Sequence, residues 1–366
     1  MYNRGGGRSG RPLTDPTDLE VVRLPDWLWS VIAWVLWIAL GVGVTWLAYR
    51  AWQHWRPGRR WVRLVMRPVV ALVVAITLVL AGWGVDSGLG AAQGLGEQAS
   101  ITWHTATNPN AKSQVVAVWA PGLGNSGDIT ATSYLDTLEL FGPVAVVNYP
   151  QHSFDLQQIA RQIADHIMIT GLRPLFIGQS LGSVVLVQVL RLYLAAGQPN
   201  GKVAGFVSVS GPNDASDVTW PIPPDVAHKV PGGPITNPVI AAYLNYRDAH
   251  DAIQGGLPHG SSETLYQQHR SYLDNFPYVG SMAQIRGLQA AVGAHPDEFA
   301  GIPALLLHVE GNDVLINWPQ AIGKLTAAFS GAAVTTVPGI HANVVEYDMD
   351  YRTVITGWVG SHITRG

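Results

Sequence analysis

Leu175-Phe176-Ile177-Gly178-Gln179-Ser180-Leu181-Gly182-Ser183 is an apolar run, a Gly-x-Ser-x-Gly turn and the start of a second apolar run. The first run, from Pro174, reads as a buried strand. The second, Val184 to Leu192, reads as a helix apolar on nearly every face. A strand that turns into a helix this abruptly forces the central residue into a strained backbone conformation. Glycines two residues to either side let strand and helix approach. Ser180 then stands at a helix N-terminus, where the Leu181 amide and the helix dipole favour a developing negative charge.

Working outward, strand-like and helix-like runs alternate. Strands are expected at Gln114–Trp119, Pro143–Asn148, Val203–Val209, Ala304–Val309 and Ala333–Val337. Helices are expected within Ser133–Leu140, at Leu156–Ile169, near Pro319–Phe329 and from Asn343 to Ile363. This alternation predicts an α/β fold with a doubly wound, mostly parallel sheet. Residues 212–301, rich in proline, tyrosine and histidine, interrupt it. So long a connection must hold structure of its own, and it is expected to form a cap. A helix at Glu263–Leu273 would place Tyr266 and Tyr272 in that cap as substrate-pocket residues.

Upstream the character changes. Residues 1–26 lack apolar periodicity and read as a disordered tail. Trp27 to Tyr49 carries no charge and is long enough to cross a hydrocarbon core, with Trp27, Trp29, Trp46 and Tyr49 at its ends. A second apolar run follows, so residues 27–85 are expected to be a transmembrane hairpin with spans near 27–49 and 67–85. Between the spans lie Arg50, Arg56, Arg59, Arg60, Arg63 and Arg67 with no acid. The positive-inside rule puts that loop in the cytoplasm and the domain from residue 99 onward outside the cell membrane, after a glycine-rich linker at 86–98.

Composition narrows the chemistry. The chain has no cysteine, which excludes disulfides, thiol catalysis and cysteine metal sites. Net charge is −3, giving nothing for nucleic acid to recognise. No metal-binding helix motif is present, nor a dinucleotide fingerprint after Gly122-x-Gly124-x-x-Gly127, so neither metal nor cofactor is expected.

A serine nucleophile needs a histidine to take its proton and a carboxylate to orient that histidine. Glu310-Gly311-Asn312-Asp313 follows one strand, and Pro338-Gly339-Ile340-His341 follows the next. In the order Ser180, Asp313, His341, residues 99–366 resemble the α/β-hydrolase superfamily. The resemblance implies Ser180 as nucleophile, His341 as general base and acid, and Asp313 as orienting carboxylate. Asp214 and Asp217, after the preceding strand, are rivals for the acid. It also implies an oxyanion hole from the N–H groups of Leu123 and Leu181. Where the family often has His-Gly, this chain has Pro121-Gly122 in Ala120-Pro121-Gly122-Leu123-Gly124. The expectation is a membrane-anchored serine hydrolase acting on acylated or lipid-like esters through an acyl-serine intermediate. An acyltransferase with the same triad, or a catalytically silent module at the bilayer, remain alternatives. Oligomeric state is not legible.

Overall fold

The computed structural model describes residues 26–54, 60–104, 115–123, 135–219, 278–309, 316–337 and 348–362. Two long helices come first, α1 (Asp26–His54) and α2 (Arg60–Gln93). They pack together where Gly82 of α2 faces the Trp37 ring. Within α2, Pro68–Gly90 is the one candidate among the described residues long and apolar enough to cross a membrane. Val35–Arg50 of α1 is a shorter apolar stretch. The expected pair of spans is therefore represented by one full-length candidate. Only 6% of its most apolar window is buried.

The residues expected as a linker differ from expectation: α2 stays helical as far as Gln93. Glycine disfavours a helix interior by about 1 kcal/mol per residue, but Asp86 and Gly90 are buried here. Tertiary contact overrides the local preference.

The remaining chain builds a seven-stranded sheet in the order β1-β3-β2-β4-β5-β6-β7. Its strands are β1 (Ser100–His104), β2 (Val115–Ala120), β3 (Val144–Asn148), β4 (Arg173–Gln179), β5 (Gly205–Val209), β6 (Ala304–Val309) and β7 (Ala333–Val337). All neighbours are parallel except β1, which runs antiparallel to β3 with Ser100 opposite Asn148. The mostly parallel sheet expected from the alternation is what the chain forms.

Two layers of core follow from the two-residue period of the strands. Val116, Val118, Phe176, Phe206 and Leu306 face one side, under α4 (Leu156–Thr170), α5 (Leu181–Ala195) and α7 (Trp318–Ala328). Trp119, Leu175, Ile177, Val207 and Leu305 face the other, under Leu138 of the short α3 (Leu135–Leu138) and Tyr351, Ile355 and Trp358 of α8 (Asp348–His362). Strands buried on both faces explain the continuous apolar runs of the sequence. Helix α4 begins at Asp155, whose carboxylate accepts from the Gln157 and Gln158 amides. It ends at Gly171, which adopts the left-handed conformation at φ 66°.

The expected cap is described only at its ends, and both ends belong to the body of the domain. At the first, Asn213 and Asp217 are buried. At the second, α6 (Tyr278–Ala290) buries Met282, Ile285 and Leu288, and Phe299 packs tilted against Phe329, which itself stacks on Phe206. Arg191 of α5 clasps this second end, donating to the carbonyls of Val292 and Gly293 and to the Glu298 carboxylate. Tyr266 and Tyr272 lie outside the described residues.

Candidate active site

Strand β4 delivers Gln179 to the carboxyl edge of the sheet, and the chain enters α5 one residue later. Between them Ser180 sits at φ 49°, ψ −119°. A non-glycine residue there costs on the order of 1–3 kcal/mol and persists only where its surroundings enforce it. They do. The Ser180 amide donates to the Val209 carbonyl at the end of β5 (2.8 Å), and its carbonyl accepts from the Ser183 amide (3.0 Å). Both flanking glycines are obligatory. A methyl at Gly178 would collide with the Gly182–Ser183 backbone, and one at Gly182 with the Ala120 and Pro121 carbonyls. Beneath the turn Ser208 donates to Ser183, which donates to the Gly178 carbonyl. Gly211 closes over this pair so tightly that it too admits no side chain.

The approach of Gly182 to Ala120 also seats the turn after β2 against the elbow. Ala120, Pro121 and Gly122 are buried, and Leu123 emerges exposed. Leu181, in contrast, is buried at the first position of α5, where a helical amide has no intrahelical acceptor. Tyr149, at the end of β3, donates its hydroxyl to the Pro121 carbonyl (3.1 Å). Burial pushes its phenol far above the usual range, so it is a permanent neutral donor. Sequence reasoning missed this residue. Its one signal was an aromatic residue immediately beyond a buried strand.

The rival acids are committed elsewhere. Asp217 is fully buried, accepts from the Asn213 and Asp214 amides, and pairs with Lys324 of α7 at 2.7 Å. Asp214 caps the following turn and holds the same ammonium at 2.9 Å. Burial raises the Asp214 carboxyl. Hydrogen bonds from Ser216 and Lys324, with the lysine charge, outweigh that and hold it below the ordinary carboxylate range. Asp313 and His341 lie outside the described residues. Their strands are in place, however: β6 ends at Val309 beside β5, and β7 ends at Val337 beside β6. Ile316 then rejoins the body by bridging to Val218, so Asp313 falls among the six residues 310–315 joining β6 to that bridge.

A hydrolase from Pseudomonas aeruginosa PA01 superposes on this chain with a TM-score of 0.51, covering 73% of it and 97% of that protein at 16% identity. A thermophilic esterase from Thermogutta terrifontis does so with a TM-score of 0.51, covering 72% and 94% at 13% identity. An esterase from Exiguobacterium antarcticum gives 0.51, covering 72% and 95% at 13% identity. The fold is that of the α/β hydrolases. No protein-family model matches the sequence, and no curated protein matches it either. Within the α/β-hydrolase fold, β4, α5 and the turn after β2 occupy the strand ends at which such sheets collect their ligand-binding loops.

Proposed function

We propose that the chain is a membrane-anchored serine hydrolase that cleaves acyl esters through an acyl-serine intermediate. The observation that carries this reading is Ser180 held at φ 49°, ψ −119° between two glycines that admit no side chain. At a tight strand-to-helix turn, this strained conformation is how a serine nucleophile is presented. In the reaction, Ser180 Oγ attacks the acyl carbon and gives its proton to His341. The carbonyl electrons move to oxygen, where the Leu123 and Leu181 amides receive the charge. Collapse of this intermediate expels the alkoxide, which takes the proton from His341. Water then repeats the sequence on the acyl-serine and frees the acid. Asp313 orients His341 throughout, a choice supported by the engagement of Asp214 and Asp217 with Lys324. Tyr266 and Tyr272 are proposed to line the acyl pocket.

Anchoring is supported by α2, whose apolar stretch exposes Leu72, Val73, Ile76, Val79 and Leu80. The decisive experiment treats the purified full chain with a fluorophosphonate probe. Ser180 should be the labelled residue, and Ser180→Ala should lower ester hydrolysis by about 10³-fold or more with the fold intact. A folded Ser180→Ala protein of near-native activity would refute the reading.

A further inference from the structure

Helix α2 does not end in open solvent. Its apolar stretch closes at Gly90, and the Gly94 amide still donates to the Gly90 carbonyl. At Gly94 the backbone lies so close to the His152 carbonyl and the Ser153 side chain that an added methyl would stand only 3.1–3.2 Å from them. Four residues of helical rise amount to roughly 6 Å. Glu97 then grips the same loop twice, accepting from the His152 amide with one carboxylate oxygen and meeting its Nδ1 with the other, both at 2.7 Å. The loop Tyr149–Phe154 follows the carboxyl end of β3, and Ser100 opposite Asn148 fixes the junction at that same edge. Only β2 separates β3 from β4. At about 4.8 Å per strand, the strand carrying Ser180 is on the order of 10 Å from the tether. Tyr149, in that loop, also holds the turn that carries Leu123.

Had α2 joined the amino edge of the sheet, Ser180 would face away from the helix. Instead the chain leaving the apolar helix meets the loop after β3, at the carboxyl edge of the sheet where Ser180 also sits, and Leu95 (73%) and Leu123 (38%) are exposed. We propose that this edge is docked at the membrane surface, and that the ester reaching Ser180 is a lipid resident in the bilayer. The inference rests on reading Ser180 as the nucleophile and α2 as a membrane span.

The chain's lack of cysteine makes a direct test possible. Leu95→Cys, Gln151→Cys and Lys202→Cys would each carry an environment-sensitive fluorophore in the full chain. The proteins are reconstituted in phosphatidylcholine–phosphatidylglycerol vesicles containing lipid spin-labelled near the headgroup. Lys202 precedes β5 and so marks the opposite edge. Quenching at residues 95 and 151 should exceed that at 202 several-fold, and equal quenching at all three would overturn the docking. A second variant inserts about fifteen glycine and serine residues between Gln93 and Gly94, releasing the domain by roughly 20 Å. It should keep p-nitrophenyl acetate hydrolysis within about twofold and lose about tenfold on dioleoylglycerol in vesicles. Full retention on both esters would overturn the proposal. A wild-type chain without fluorophosphonate labelling at Ser180 would sink the hydrolase reading beneath it, and the quenching pattern would then decide the docking alone.

Discussion

Asp214 and Asp313 separate two kinds of carboxylate that sequence alone leaves side by side. Asp214 has its charge matched by Lys324 and its oxygens occupied by Ser216 and that ammonium. Asp313 follows the strand that lies between those of Ser180's neighbour β5 and of His341. Asp313→Asn should therefore reduce kcat by about 10³-fold or more, because a carboxamide favours the wrong histidine tautomer. Asp214→Asn should lower stability and leave kcat within a few-fold. Thermal unfolding and steady-state kinetics on both variants decide it. The lysine gives a pH test. A depressed Asp214 pKa contributes stability that is present above its unfolded value, near 3.8, and lost as pH falls through the folded one. Lys324, whose pKa its two aspartates raise against the opposing effect of burial, contributes below its own unfolded value and loses that contribution as pH rises through the folded one. Lys324→Met leaves the buried Asp217 unpaired and should cost about 3 kcal/mol at neutral pH. Denaturant melts should show the variant and the parent converging as pH drops below about 4.

At the level of elements, the elbow and the turn after β2 act as one part. Gly182→Ala would drive a methyl into the Ala120 carbonyl. The Leu123 and Leu181 amides would then part, and kcat should fall by about 10²-fold. Circular dichroism should remain native, and unchanged kinetics would mean the turn gives way without consequence. The elbow was legible because its chemistry is local: glycine, serine and glycine within five residues, between two apolar runs. β6 was legible to the residue for a related reason, since a strand buried between helices leaves a nearly unbroken apolar stretch; β7, a half-exposed edge strand, was legible from its β-branched Val334-Thr335-Thr336-Val337 run. β1 was not, because Ser100–His104 is a half-exposed edge strand with no such run. Nor were the ends of the 212–301 segment, where Leu288 and Phe299 enter the main core from a stretch whose composition looked like an insertion. The Lys324 cluster was invisible for a different reason. It joins residues 110 positions apart, a distance over which no local pattern operates.

For the whole molecule, the arginines between the two apolar stretches (Arg50, Arg56, Arg59, Arg60, Arg63 and Arg67) make the proposed orientation testable. A reporter fused after Gln98 should score outside the cytoplasm and one near Gly58 inside, and exchanging Arg56, Arg59 and Arg60 for acids should scramble both. A cytoplasmic signal from the Gln98 fusion would overturn this topology. The seating of Gly94 on His152 and Ser153 reaches into kinetics. On the docking proposed above, an enzyme held by that contact with its catalytic edge at the lipid searches two dimensions instead of three. Its speed is then governed by the mole fraction of ester among its lipid neighbours, whatever the volume of buffer. Inert lipid added to the same bilayer slows it, and water added around the bilayer does not.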